Sequence, residues 1–546
     1  PRDIAFGPDG KLLAVDVGGT ITLLDAASGA KLRSVLGERR FVGNKRMFFS
    51  PDGRYLAVPG MVHFFIYEVA TGKPLHDEGH LGGVQAVAFA PDGKRLGTSD
   101  RATVRLWDAG TGKEVRRWPS QMIRSHATLA FAPDGNSLLQ AGGLTVKHWN
   151  LATGEELPRL QAVQASDVAF GPDGALLATM TATGPVLLDV ATGKQVRQFN
   201  GDKLDSHLAY SLDGKTLATG GGALWLWDAA TGKPRHKIEP PPTGERSPSA
   251  SYSSVAFSPD GVYVAAYGGW RHPTDTRALH LYEANSGKQV ARFHTTACQQ
   301  CHLTVAFSPD GKTLAMGDVT NDVTLWEVST GRPRAKLTGH RRWIESLAFA
   351  PDGKQLASAS ADGTVLVWDL HRVGKPAPAE ADACWRVLAG DEPVAAYDAF
   401  QSLVGQPGPA LRVLQQQLQP IAVLEPRRLD RLLANLDSNT FATREQATAE
   451  LEKLGEMAGD ALRKAQAGQP PLETRQRIDK LLERLATVQV ESPALLQSLR
   501  GVEVLEHIDS AEAKEVLRVL AGGEPQARLT REAKAAHDRL ARRQAR

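Results

Sequence analysis

Cysteine is scarce in this chain, with three residues, Cys298, Cys301 and Cys384, among 546. They cannot form a disulfide framework for a chain of this length, so we expect its stability to come from packing. Long apolar runs are missing too, and none approaches the roughly eighteen residues that cross a bilayer. We therefore expect no membrane span.

A charge excess of one sign is also lacking, because 64 Lys and Arg face 61 Asp and Glu. This balance does not predict nucleic acid or an anionic membrane as the partner. The basic C-terminal run from Arg528 to Arg546 has two interpretations: a solvated last helix, which is favoured, and a weak contact with nucleic acid or an acidic protein.

Catalytic signatures are missing as well. The sequence contains no Walker glycine loop, no Gly-x-Ser-x-Gly elbow, no His-Glu-x-x-His pair and no protein-kinase set. We therefore predict a protein that is not an enzyme and has no catalytic residues.

An initiator methionine is absent, and the chain begins at Pro1 within a predicted strand. We expect the natural N-terminus and any targeting signal to lie upstream. The sequence is thus compatible with both a cytoplasmic and an exported form.

One unit, however, recurs through the first two thirds of the chain. Its centre is an aromatic residue followed by x-Pro-Asp-Gly, a turn sequence in which proline presets φ and glycine accepts positive φ. Alternating apolar residues on both sides predict two paired strands. The copies are Phe6–Gly10, Phe49–Gly53, Phe89–Gly93, Phe131–Gly135, Phe170–Gly174, Tyr210–Gly214 (with Leu212 in place of proline), Phe257–Gly261, Phe307–Gly311 and Phe349–Gly353.

A third strand in each unit ends in an aromatic or apolar residue plus an acid or amide, as in Trp107-Asp108 and Trp368-Asp369. A second turn such as Thr111-Gly112-Lys113 then leads into a fourth strand in eight of the units. Four strands in about forty residues resemble one blade of a WD40 repeat protein. The likeness is closest to the bacterial type, whose units carry Phe-Ser-Pro-Asp-Gly-Lys-x-Leu-Ala.

The resemblance implies an all-β propeller over residues 1–370, built from nine sequence repeats that form a single toroid of eight or nine blades. It also implies a structural hydrogen-bond network that joins a His, a Ser or Thr, an Asp and the Trp of each unit. In this chain the last unit fits best, with His340, Ser358 or Ser360, Asp362 and Trp368. These residues are expected to stabilise the fold.

Beyond a predicted linker at 371–380, leucine and alanine recur three and four residues apart, which predicts an all-α domain over residues 381–546. The stretch 444–462 resembles a HEAT-type helical hairpin. Stacked hairpins make a curved surface that suits protein binding. A plain helical bundle is the alternative reading.

Two groups of residues are candidate sites. Long connections between strands place Arg246, Trp270, Arg271, His272 and Arg277 on one predicted face, and exposed Trp and Arg are typical of protein-binding hot spots. The alternative interpretation is that these connections are surface loops without a binding role.

The second group is Cys298-x-x-Cys301-His302, which matches the c-type haem attachment pattern and also suits zinc or a redox dithiol. An inert loop is the favoured reading of this motif, so no cofactor is expected. The sequence therefore predicts a scaffold that binds other proteins through the propeller face and the helical surface, with a redox, haem c or zinc protein as the alternative.

Overall fold

A computed structural model describes residues 3–6, 11–17, 20–35, 48–49, 54–59, 64–71, 83–120, 128–142, 146–157, 160, 165, 167–181, 184–200, 207–240, 251–269, 278–294, 304–317, 321–371, 380–485, 489–490 and 492–544. Up to Asp369 these residues form antiparallel strands, and from Ala381 onward they form helices. The prediction of antiparallel sheets followed by a helical region is confirmed. Within the predicted linker, His371 and Glu380 are described.

Where the structure describes them, from the Phe89–Gly93 copy onward, the repeated turn sequences connect the first and second strands of the sheets. In the Phe89–Gly93 copy, Gly93 has φ +68° and the Asp92 carboxylate accepts a hydrogen bond of 2.9 Å from the backbone N–H of Lys94. Positive φ costs glycine nothing, and the aspartate satisfies a turn donor that would otherwise be free. The turn chemistry thus sets the hairpin that begins each unit.

The described strands form nine antiparallel sheets, in each of which consecutive strands are neighbours. Sheets 1 to 3 consist of β1 (Asp3–Phe6), β2 (Leu12–Val17), β3 (Thr20–Asp25) and β4 (Lys31–Val35); β5 (Phe48–Phe49), β6 (Tyr55–Pro59) and β7 (Phe64–Glu68); and β8 (Ala86–Phe89), β9 (Arg95–Ser99), β10 (Thr103–Asp108) and β11 (Glu114–Pro119).

Sheets 4 to 6 follow the same order. They consist of β12 (Thr128–Phe131), β13 (Ser137–Ala141) and β14 (Lys147–Asn150); β15 (Val168–Phe170), β16 (Leu176–Thr181), β17 (Gly184–Asp189) and β18 (Gln195–Gln198); and β19 (His207–Tyr210), β20 (Thr216–Gly220), β21 (Leu224–Asp228) and β22 (Pro234–Ile238).

Sheets 7 to 9 complete the β region. They consist of β23 (Ser251–Phe257), β24 (Tyr263–Gly269), β25 (Ala278–Glu283) and β26 (Gln289–His294); β27 (Val305–Phe307), β28 (Thr313–Gly317), β29 (Val323–Glu327) and β30 (Arg332–Leu337); and β31 (Ile344–Phe349), β32 (Gln355–Ser360) and β33 (Val365–Asp369).

The acid that ends the third strand has a local role. In sheet 3 the Asp108 carboxylate accepts hydrogen bonds of 2.7 Å from both the hydroxyl and the backbone N–H of Thr111. These bonds lower the pKa of Asp108 and fix the turn into β11. The repeated aspartates are therefore turn residues.

Neighbouring sheets are joined by separate apolar cores. From sheet 3 to sheet 9 the first strands contact one another in chain order, and β31 of the last sheet also contacts β8 of sheet 3. At that contact Val84 and Val87 pack against Ala357 and Ala359, and the Val84 N–H donates to the Ser360 carbonyl at 2.9 Å. Sheets 1 and 2 share a smaller core of their own.

The described helical region contains ten α-helices, several of which begin with proline at the first turn, where its missing N–H is harmless. None of the helices among the described residues is long and apolar enough to cross a membrane. They are α1 (Ala381–Val387), α2 (Pro393–Gly405), α3 (Pro407–Gln417), α4 (Pro426–Asn435), α5 (Phe441–Leu454), α6 (Gly459–Ala467), α7 (Leu472–Leu485), α8 (Pro493–Ile508), α9 (Ala511–Leu520) and α10 (Arg528–Gln544).

These helices form two groups. Helices α1 to α3 and α8 to α10 share one large apolar core with sheets 8 and 9. Helices α4 to α7 bury a separate core around Leu436, Leu451 and Ile478. The stretch predicted to be a HEAT-type hairpin lies in α5, a short 3-10 helix at Gly455–Ala458 and α6. Its likeness to HEAT repeats stays a prediction.

Candidate functional site

The four residues predicted to form a hydrogen-bond network lie together in sheet 9. Trp368 Nε1 donates to Ser358 Oγ at 2.8 Å, and Ser358 Oγ lies 2.7 Å from His340 Nε2. His340 Nδ1 lies 3.2 Å from Asp362 Oδ2. Because an indole can only donate and a carboxylate can only accept, a neutral imidazole completes one continuous donor-to-acceptor chain.

Asp362 is the acceptor at the end of this chain. Its carboxylate also accepts bonds from the Thr364 hydroxyl at 2.6 Å and from the Arg341 N–H at 2.8 Å. Burial alone would raise the pKa of Asp362, but the hydrogen bonds from His340, Thr364 and Arg341 hold it well below its ordinary value. The network therefore contains a firmly ionised aspartate.

The network fixes the backbone of residues 340–343, which we call the Trp343 loop. Besides the Arg341 N–H, the Arg342 carbonyl accepts a bond of 3.0 Å from Ser360 Oγ, and the Trp343 carbonyl accepts one of 3.1 Å from the Ala361 N–H. The side chains of Arg341, Arg342 and Trp343 are exposed. A rigid backbone thus presents three protruding side chains.

The Pro-Asp-Gly turns lie at one end of the sheets, the turn end, and the Trp343 loop lies at the opposite end, the loop end. Helix α8 packs against the turn end of sheet 8. Arg500 of α8 makes two bonds to Glu327, of 2.8 and 2.7 Å, and both side chains are 3% exposed. Arg500 Nη1 also donates to the carbonyls of Leu388 and Gly390.

Two further ion pairs continue this interface. Arg334 of β30 donates to Glu503 of α8 at 3.0 Å, and its guanidinium lies 4.5 Å from the ring centre of Tyr397. Glu506 of α8 accepts two bonds of 2.7 Å from Arg539 of α10. Buried charges are tolerated because each has a partner in good geometry. The helical region is therefore fixed to the sheets by packing and by paired charges.

Asp310, Glu503 and His507 offer three ligand atoms within 4.8 Å of one another at this interface. Such a group could hold a metal ion, but cations already surround it. Arg334 pairs with Glu503, and the pKa of Asp310, which burial raises, is lowered by the hydrogen bond with His507 and by the charge of Lys312. We assign the group to the ion-pair interface, because a divalent cation would have to compete with these side chains.

His507 also contacts a second histidine, His371, which directly follows the last sheet. His507 Nδ1 lies 2.8 Å from His371 Nε2, and Asp310 Oδ2 lies 3.9 Å from His507 Nε2. Burial, together with the charges of His507 and Lys354, lowers the pKa of His371 to about 4. The pair favours a neutral His371.

This pair predicts a loss of stability in acid. An unfolded His371 would take up a proton near pH 6.5, whereas the folded chain resists protonation down to about pH 4. The free energy of unfolding should therefore fall as the pH drops from 6.5 to 4, and His371→Gln should flatten this part of the profile. Urea titrations across that range measure it. Equal slopes for the two proteins would contradict the assignment to His371.

Comparison with known proteins identifies the same kind of repeat that the turns, the strand order and the hydrogen-bond network indicate. Two segments, residues 72–108 and 331–369, match the family described as "WD domain, G-beta repeat". The second segment contains His340, Ser358, Asp362 and Trp368, which the structure joins by hydrogen bonds. The chain therefore contains WD40 repeats.

Curated relatives match this chain over short stretches. The Target of rapamycin complex subunit wat1 of Schizosaccharomyces pombe is 36% identical over 111 residues, 19% of this chain and 35% of that protein. The Serine-threonine kinase receptor-associated protein of Mus musculus is 30% identical over 100 residues, 18% of this chain and 28% of that protein.

A third relative is an uncharacterized WD repeat-containing protein of Nostoc, 50% identical over 44 residues, which are 8% of this chain and 3% of that protein. In each of these three matches the chain therefore spans about a third or less of the relative's length.

Several predicted site residues lie outside the described residues. They are Arg246, Trp270, Arg271, His272 and Arg277 of the predicted partner patch, and Cys298, Cys301 and His302 of the predicted haem or metal motif. The WD40 strands on either side of them, β22 to β27, are described. Both groups stay predictions.

Sequence reasoning missed two features of the site. The Trp343 loop has the exposed Trp and Arg side chains that the sequence analysis predicted only for the patch around Trp270. Its position directly after His340, a residue of the WD40 network, was the signal that could have indicated it. The charged face of α8 was also missed. Arg500, Glu503 and His507 are three and four residues apart and so share one helix face, a spacing that could have indicated a polar interface.

Proposed function

We propose that this chain is a protein-binding scaffold that is not an enzyme, in which the WD40 sheets present a partner surface at their loop end while the helical region is fixed to their turn end. The observation that carries this proposal is the Trp343 loop. It holds an exposed tryptophan and two exposed arginines on a backbone fixed by partly buried hydrogen bonds. Rigid aromatic and arginine side chains are typical of binding hot spots.

The arrangement of the sheets supports this assignment of faces. We propose that sheets 3 to 9 form a closed ring of seven blades, whereas the repeats led us to expect eight or nine. The contact between β31 and β8 and the Val84–Ser360 hydrogen bond favour closure there. A ring of this kind has two ends, and the interface with α8 occupies one of them.

The names of two relatives also support a scaffold. One is named as a subunit of a complex and the other as a receptor-associated protein. The predicted patch of Arg246, Trp270, Arg271, His272 and Arg277 would extend the same surface, because β23, β24 and β25 of sheet 7 begin or end at the loop end beside these connections.

Hydrogen–deuterium exchange on a purified complex tests the proposal. The chain would be isolated from its native cells with any stoichiometric partner, and exchange would be compared with that of the free chain. We expect slower exchange at residues 83–85, 100–102, 340–343 and 361–364, with α8 and α10 unchanged. Protection confined to the helices, or a chain recovered without any stoichiometric protein, would contradict it.

A further inference from the structure

Trp343 is unusual among the tryptophans of this chain. Of the ten, nine are described, since Trp270 is not, and Trp343 alone among these nine is exposed, with 48% of its surface accessible. Its Nε1 donates to Glu345 Oε1 at 2.7 Å, and the Arg342 guanidinium lies 5.5 Å from its ring centre. The ring is therefore held in one orientation, with a cation above it.

Two sheets contribute arginines near Trp343 and Glu345. Arg341 and Arg342 directly precede Trp343 before the first strand of sheet 9, and Arg101 lies on the turn between β9 and β10 of sheet 3. Arg101 is close enough to lower the pKa of Glu345, which burial raises. We call Arg101, Arg341, Arg342 and Trp343 the arginine–tryptophan patch.

The carboxylates near the patch are already engaged. Asp362 accepts bonds from His340, Arg341 and Thr364, and Asp100 accepts bonds from the Ala102 and Thr103 N–H groups at 2.8 and 2.6 Å. Among the described residues, no carboxylate lies within ion-pair distance of the three patch arginines. The patch therefore presents to a partner three guanidinium groups that form no ion pair within the described part of the chain.

We propose that the arginine–tryptophan patch binds an acidic segment of a partner protein, with carboxylates on the arginines and an apolar side chain on the Trp343 ring. This inference rests on the scaffold function proposed above and adds the chemistry of the partner. Guanidinium forks match carboxylates in a bidentate way, and an indole face accepts apolar side chains. The fixed backbone reduces the entropy lost on binding.

The test uses fluorescence anisotropy with the full chain and a short labelled peptide in which glutamates flank a central Leu-Phe pair. The wild-type chain should bind it, and binding should weaken as salt rises. The double change Arg341→Glu plus Arg342→Glu, and separately Trp343→Ala, should each weaken binding at least about tenfold. A peptide with glutamine in place of every glutamate should bind as weakly as the double variant does.

Arg412→Glu is the matched control, because Arg412 is an exposed arginine on α3 of the helical region. It should leave binding unchanged. Unfolding midpoints of all variants establish that they fold. Polyuridylate serves as a competitor, because phosphates also bind arginines.

The inference is overturned if the wild-type chain does not bind the peptide, if the patch variants bind it as tightly as the wild type, or if polyuridylate competes more strongly than unlabelled peptide. The scaffold function would survive these results if the patch variants still form the native complex with protection at the loop end. The scaffold function itself is contradicted if the wild-type chain forms no complex with a native partner.

Discussion

Replacing Arg500 with alanine is expected to lower the free energy of unfolding by about 3–5 kcal/mol, the range for breaking a buried ion pair by removing one partner. The change leaves the Glu327 carboxylate without its two guanidinium bonds, and it frees the carbonyls of Leu388 and Gly390. Burial raises the pKa of Glu327 and the bonds from Arg500 lower it, so the variant should also shift that pKa upward.

Urea denaturation followed by circular dichroism measures the loss. Arg518→Ala is the matched control, because Arg518 makes the same double contact with Glu515 on the exposed surface of α9. Exposed pairs contribute about 0–1 kcal/mol, so the control should change little. Equal effects of the two substitutions would show that the contact between α8 and sheet 8 is not a buried interface.

The Arg500–Glu327 pair also shows why this part of the structure could not be predicted. The two residues are separated by 173 positions in the chain, and each of them has an ordinary local reading. Glu327 ends the third strand of its unit, as an acid or amide does in the other units, and Arg500 lies in a helix with many polar residues. No pattern in the sequence indicates that these two residues meet, because only the packing of the helical region against the sheets brings them together.

Local features, in contrast, could be predicted from the sequence. Turn chemistry at Pro-Asp-Gly and the spacing of His340, Asp362 and Trp368 depend on residues that are close in sequence, so pattern reasoning suffices. The same reasoning treated the basic C-terminal run chiefly as a solvated helix. In the structure α10 buries Ala533, Ala536 and Leu540, and Arg539 pairs with the buried Glu506. A helix face needs its partner before its charges can be interpreted.

The tryptophans that end the third strands show how far the repeat pattern alone can predict the contacts within a unit. Trp107 and Trp227 donate to Thr98 and Thr219 of the neighbouring strands, as Trp368 does to Ser358. In sheet 8 the corresponding position is Met316, and the buried Trp326 Nε1 has no hydrogen-bond partner among the described residues. A repeat pattern therefore predicts the fold of each unit, while the individual residues decide which unit carries a complete polar network.

Replacing Asp362 with alanine is expected to lower the free energy of unfolding by about 3 kcal/mol and to loosen the Trp343 loop. The change removes the acceptor of His340, of the Arg341 N–H and of Thr364, and a buried donor that loses its partner costs about 1–3 kcal/mol. Because the folded pKa of Asp362 is lowered, this stabilisation is present above the ordinary carboxyl pKa and is lost as the pH falls below it.

Two measurements separate the effects on stability and on the loop. Urea denaturation at pH 7 and at pH 3 should show a smaller difference between wild type and variant in acid, and hydrogen exchange should be faster at residues 341–343. Asp352→Ala is the matched control, because Asp352 is an exposed turn aspartate of the same sheet whose carboxylate accepts a bond from the Lys354 N–H. If the two variants are equally stable at pH 7, the aspartate of the WD40 network acts only as a local turn residue, and another feature must hold the Trp343 loop in place.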